Sequence, residues 1–168
     1  LVKALVGYRT DSGGILTSGG SVANLIGLGV VRYLKADGDI RAEGFSAGHA
    51  PMVVYTSVQG HSCIEKPVEI LGFGHNYLRK IPVDADYRMD VVQLKAQIAA
   101  DRAAGLRPVC VAATAGTVNT GAIDPLDAIA DLCEAEKLWF HIDAAYGGFG
   151  ILAEQTKGMY QGIDRADS

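Results

Sequence analysis

The sequence predicts an α/β protein with a mainly parallel sheet and helices on both faces. Three observations predict it. Strand-like runs alternate with helical periodicity from Met52 onward. Polar residues gather just after successive strand runs, where open α/β sheets keep their binding crevices. Finally, 168 residues that are 49% hydrophobic and 20% charged suit one domain of ordinary size with a substantial core.

Leu1 to Tyr8 reads as the end of a helix, and Arg9 to Gly14 as a polar, Gly-rich turn. Ile15 to Ser21 forms a loop that opens a helix over Val22 to Leu34, where apolar residues recur at helical spacing. Ala36 to Ala50 is polar and reads as a surface connection. From there the prediction is strand Met52 to Ser57, helix Ser62 to Leu71, strand Leu78 to Val83 and helix Asp90 to Ala104. Strand Pro108 to Thr114, helix Pro125 to Glu136 and strand Leu138 to Asp143 complete it. This alternation is what a parallel sheet covered on both faces requires. Neither repeats nor a domain-splitting linker interrupt it.

The net charge of -4 has no basic block behind it, so neither a nucleic-acid footprint nor an anionic-membrane surface is indicated. Small molecules and other subunits are the expected partners. Cys63, Cys110 and Cys133 are odd in number and lack metal-ligand spacing, so no metal site is expected and a reducing, cytoplasmic setting is. No signal peptide or apolar run of spanning length is recognisable. The chain starts without Met and stops at Asp167-Ser168 without a closing element, which leads to the expectation that it is a fragment of a longer protein.

Candidate chemistry lies at the strand ends. Asp143 ends the last apolar run, and Ala144, Ala145, Gly147 and Gly148 after it would let a flat, bulky group approach the backbone closely. An Asp there also commonly caps the next turn. Gly19, Gly20 and Ser21 at a helix start would offer backbone N–H groups and a hydroxyl to an anion such as phosphate, although Ser N-caps beside glycines are common. His61 follows the first strand and Thr117 the third. Each residue type alone is ordinary in a loop, but together on one sheet edge they point to a cofactor site. Gly44-Phe-Ser-Ala-Gly48 matches the G-x-S-x-G pattern of a hydrolase nucleophile elbow, but Asp37-Gly-Asp39 stands where a strand is needed and a strand follows where a helix is needed. The elbow reading is rejected.

Four segments, Thr17 to Leu25 (TSGGSVANL), Gln59 to Pro67 (QGHSCIEKP), Ala113 to Pro125 (ATAGTVNTGAIDP) and His141 to Gly148 (HIDAAYGG), together resemble the group II pyridoxal-phosphate-dependent amino-acid decarboxylases, relatives of aromatic-amino-acid and glutamate decarboxylases. The resemblance covers essentially the whole chain, in the family's order and spacing. It implies the large domain of a fold-type I, aspartate-aminotransferase-like pyridoxal-phosphate enzyme, with residues 1–168 an incomplete part of that domain. The implied cofactor is pyridoxal 5'-phosphate, the implied substrate an L-amino acid, and the implied assembly of the intact protein a homodimer.

By the same resemblance, Gly20 and Ser21 bind the cofactor phosphate, His61 stacks on the pyridine ring and Ala145 packs against the opposite ring face. Asp143 holds the pyridine nitrogen, and Thr117 reaches the ring's polar edge. His61 and Asp143 are the implied catalytic residues. Many relatives have a second Thr where this chain has Val118, and a Glu is common where it has Val22. The family attaches its cofactor through a Lys shortly after the Ala-Asp-Ser matching Ala166 to Ser168, so none of this chain's lysines takes that role. Aminotransferases, cysteine desulfurases and carbon–carbon lyases share the fold and the Asp, and remain alternative readings, as does a catalytically inactive fragment.

Overall fold

Four parallel strands carry the molecule, in the order β2, β1, β3, β4 across the sheet. The computed structural model describes residues 1–44 and 50–168. In chain order the elements are α1 (Val2–Leu5), α2 (Gly20–Lys35), α3 (Ile40–Glu43), β1 (Met52–Ser57), α4 (Glu65–Ile70) and β2 (Leu78–Ile81). There follow α5 (Val91–Ala103), β3 (Arg107–Thr114), α6 (Leu126–Glu136) and β4 (Trp139–Asp143). The residues after β4 wind through short 3-10 turns and return along its free edge. There Ile142 N–H donates to the Ser168 carbonyl at 2.8 Å and Asp167 N–H to the Phe140 carbonyl at 2.8 Å.

Successive side chains of a strand point to opposite faces, and the core divides accordingly. Val53 and Tyr55 of β1, Val111 and Ala113 of β3 and Phe140 of β4 pack with Leu94 and Ile98 of α5 and Ile129 and Cys133 of α6. Met52 and Val54, together with Cys110 and Ala112, pack on the other face with Leu28 and Val31 of α2 and Val68 of α4. In β4 the same alternation sends Phe140 toward α6 and leaves Trp139, His141 and Asp143 on the α2 side.

The sequence-predicted elements all occur, with shifted ends. The helix expected from Ser62 shrinks to α4, because Gly60 to Ile64 first makes a turn in which Ile64 N–H donates to the His61 carbonyl at 3.1 Å. Pro67 is tolerated in its first turn, where a backbone N–H has no helical partner to lose. The strand expected to reach Val83 stops at Ile81, before Pro82, and Val83 makes only an isolated antiparallel bridge to Met89. Helix α2 opens at Gly20, two residues earlier than its apolar periodicity, since glycine and serine carry no periodic signal. The connection read as polar loop includes α3, capped by Asp39, whose carboxylate accepts from the N–H groups of Arg41 and Ala42. The rejected nucleophile elbow falls largely on residues 45–49, outside the described residues.

Candidate functional site

A cavity of about 250 Å³ opens at the carboxyl ends of β1, β3 and β4, lined by Gly20, Ser21, His61, Cys63, Thr114, Gly116, Thr117, Val118, Asp143, Ala145 and Tyr146. All six residues singled out in the sequence therefore face one space. The loops after β3 and β4 are held together by contact between glycines: a Cβ on Gly147 would lie 2.5 Å from the Ala115 carbonyl oxygen and 2.7 Å from Gly116 Cα. No side chain fits there, and that closeness brings the two loops together at the cavity that Thr117 and Ala145 both line.

Helix α2 enters the cavity with its N-terminus. Gly19 is its N-cap without a side-chain cap, and the first helical bond to the Gly19 carbonyl comes from Ala23 N–H at 3.1 Å. The N–H groups of the first turn, with the positive end of the helix dipole, are thereby directed at whatever lies in front of Gly20 and Ser21. His61 is exposed on the rim, and its Nδ1 accepts from Cys63 N–H at 3.2 Å, so the ring carries its proton on Nε2. Thr117 is buried, with its hydroxyl 2.6 Å from that of Thr120.

Asp143 is 7% exposed, and its surroundings are unusual for a carboxylate. Oδ1 accepts from Ala145 N–H at 3.1 Å, so the residue does cap the turn after β4 as well as facing the cavity. Oδ2 accepts from Asn24 Nδ2 at 3.2 Å and from the Cys63 thiol at 3.1 Å. None of the ion pairs among the described residues includes it. Burial, reinforced by the hydrogen bond to Asp143, pushes the Cys63 thiol up to about 12, so it stays protonated and donates. Burial also lowers His141, despite the nearby Asp143 charge, to about 4, which leaves it neutral at neutral pH. Among the described residues, the hydrogen bonds to the Asp143 carboxylate thus all come from neutral donors.

Asn24, Cys63 and His141 were not singled out in the sequence. The signal for Asn24 was present: it falls in phase with Leu28 and Val31 on the buried stripe of α2, where an amide must be hydrogen-bonded. His141 shares the α2 side of β4 with Asp143 by strand alternation. Cys63 gave no such signal. Among the described residues no cluster of His, Cys, Asp and Glu is arranged to hold a metal, and no helix is long and apolar enough to cross a membrane.

This arrangement defines a class. A family model described as the pyridoxal-dependent decarboxylase conserved domain matches residues 3–168, and the chain belongs to that family. The aromatic-L-amino-acid decarboxylase of Bacillus atrophaeus is 42% identical over 99% of the chain and 33% of its own length. The crystal structure of mouse CSAD superposes with a TM-score of 0.91 at 38% identity, covering 99% of this chain and 34% of that one. That of Oryza sativa TDC with PLP and tryptamine gives 0.87 at 31% identity, over 99% of this chain and 35% of that one. The chain spans about a third of the length of the relatives it matches. The fold is accordingly the fold-type I architecture anticipated from the sequence.

Proposed function

We propose that the protein containing this chain is a pyridoxal-phosphate-dependent L-amino-acid decarboxylase, and that residues 1–168 are part of its cofactor-binding large domain. The observation that carries the proposal is Asp143: a buried carboxylate held, among the described residues, by neutral donors alone, at one cavity with an uncapped helix N-terminus and a rim histidine. A carboxylate so placed calls for a cation from outside the protein, and a protonated pyridine nitrogen is one. Family membership and the likeness to amino-acid decarboxylases favour decarboxylation over the other reactions of the fold.

The residues present fit the cofactor. The first-turn N–H groups of α2 and the Ser21 hydroxyl suit a phosphate, and the glycine contact between the loops keeps the cavity clear of side chains for a flat ring. His61 on one side and Ala145 on the other would clamp that ring, and Thr117 would meet its polar edge. When bound, pyridoxal phosphate supplies an electron sink for the pair released as a bond at the amino-acid Cα breaks. Asp143 would hold a proton on the ring nitrogen, and because the carboxylate is itself buried that charge pairing would be stronger than in bulk solvent. His61 would limit the tilt of the ring and shield that face from water. Three free, buried cysteines favour a cytoplasmic setting, and the exposed apolar side chains of α2, Val22, Ile26, Val30 and Leu34, favour a homodimer.

The test is to supply the protein containing this chain with pyridoxal phosphate and a panel of L-amino acids. Stoichiometric release of CO2 and the corresponding amine is expected from at least one. Transfer of the amino group to a keto acid without CO2 would instead favour the aminotransferase alternative.

A further inference from the structure

Behind Asp143 runs a chain of side chains whose hydrogen bonds all point the same way. Trp139 Nε1–H, which can only donate, gives its proton to Ser168 Oγ at 2.8 Å. Ser168 Oγ lies 2.8 Å from His141 Nδ1, and His141 Nε2 lies 2.8 Å from Asn24 Oδ1. Asn24 Nδ2 reaches Asp143 Oδ2 at 3.2 Å. Only one assignment of protons satisfies the set. A reversed Asn24 amide would set its oxygen against a carboxylate oxygen, so Nδ2 faces Asp143 and Oδ1 faces His141. His141 must then donate through Nε2, which leaves Nδ1 as acceptor for the Ser168 hydroxyl. Burial keeps the imidazole neutral, in keeping with a ring that carries a single proton.

We infer that this relay, Trp139 to Ser168 to His141 to Asn24, positions Asp143 so that Oδ2 is saturated from within and Oδ1 keeps an open lone pair for the cofactor's ring nitrogen. Oδ2 receives two donors, Asn24 and the Cys63 thiol, while Oδ1 receives only Ala145 N–H. A carboxylate oxygen accepts two hydrogen bonds comfortably, so the remaining capacity lies on Oδ1. Because each member of the relay is neutral, it fixes the carboxylate's rotation without cancelling its charge. Space is restricted in keeping with this role. A Cβ on Gly27 would lie 2.8 Å from His141 Cε1 and 3.1 Å from Nδ1, so α2 approaches the imidazole as closely as a glycine permits. Asn24 and His141 are therefore positioning residues, acting on the cofactor through Asp143.

The inference rests on the proposal that Asp143 meets the ring nitrogen, and its test separates the two. Dissociation constants are measured, on the protein containing this chain, for pyridoxal phosphate and for a deaza analogue in which the ring nitrogen is replaced by C–H. Any contribution from other parts of the cofactor cancels between the ligands. Asn24→Ala and His141→Phe should weaken pyridoxal phosphate by about tenfold or more, the effect of losing an outer-sphere partner, and leave the analogue unchanged. His141→Gln, which keeps an N–H able to reach Asn24, should restore much of the difference. Gly27→Ala, which crowds the imidazole but removes none of the relay's donors, should give a smaller loss of the same selective kind.

Equal weakening of both ligands, or of neither, by Asn24→Ala and His141→Phe would overturn the relay. A loss in His141→Gln as large as in His141→Phe would overturn it as well, and this comparison remains decisive if Asn24→Ala does not fold. Asp143→Ala is the control for the underlying reading. If it does not discriminate between the two ligands, the ring-nitrogen assignment itself fails. If it does and the relay variants do not, only the relay fails.

Discussion

Asp143 at the end of β4 and Asp101 on α5 are both buried carboxylates, and the protein treats them in opposite ways. Asp101, in α5, is 3% exposed and receives the Arg79 guanidinium at 2.7 and 3.1 Å and the Tyr55 hydroxyl at 2.9 Å. Burial alone would raise its carboxyl, but the hydrogen bonds from Arg79 and Tyr55 outweigh that and hold it below the ordinary value. Its charge is balanced internally, and its effect is to tie α5 to β1 and β2. Asp143 receives neutral donors and faces a cavity. Burial by itself does not mark a functional carboxylate, and neither does a missing cation, since Asp124 is buried and accepts only from backbone N–H groups; Asp143 combines the missing cation with a place on the cavity wall.

The largest effect expected from this comparison is on chemistry. Asp143→Asn should lower decarboxylation by about a thousandfold or more, while the variant keeps the fold of the parent by circular dichroism. Asp101→Asn should do the reverse, costing about 3 kcal/mol of unfolding free energy by leaving Arg79 and Tyr55 without their acceptor, with turnover nearly unchanged. Urea unfolding and initial rates on both variants give the two halves of that contrast. Should Asp101→Asn abolish activity and Asp143→Asn only soften the fold, the distinction drawn between the two carboxylates would collapse.

Two other buried groups, His141 and Asp124, respond to acid in opposite directions. The folded pKa of His141, about 4, lies below its unfolded value of about 6.5, so the fold favours the neutral ring. Its contribution is fully present above pH ~6.5 and is lost as pH falls toward 4, up to about 3 kcal/mol. Asp124 has the opposite sign. Burial outweighs the hydrogen bonds it accepts from Met89 and Thr114 N–H and raises it to about 6, so its contribution is present below its unfolded value and is lost as pH rises through 6. Stability of His141→Gln and Asp124→Asn, each against the parent between pH 4 and 7, should therefore show slopes of opposite sign. The smallest effect expected is from Ser21→Ala, a loss of severalfold in cofactor affinity, because backbone N–H groups supply most of the proposed phosphate cradle.

The strands and the cavity mouth were legible because their signals are local. An apolar run ending in Asp143, and Gly20 with Ser21 opening a periodic helix, need no knowledge of what lies opposite. The hydrogen-bonding partners were harder to see, since Asn24 and Asp143 are 119 positions apart and Cys63 and Asp143 are 80 apart. Asp101 was not singled out in the sequence, because only the folded chain brings Arg79 and Tyr55 onto it. Element ends shifted where Gly60, Pro82 and Gly20 altered local geometry without disturbing the apolar pattern that located the elements.

The most direct test of the central claim is the protonation state of the cofactor's ring nitrogen. With 15N-labelled pyridoxal phosphate bound to the protein containing this chain, the nitrogen chemical shift should report a protonated pyridine, and in Asp143→Asn it should move to the value of the unprotonated ring. The same shift in parent and variant would contradict the claim that Asp143 holds that proton.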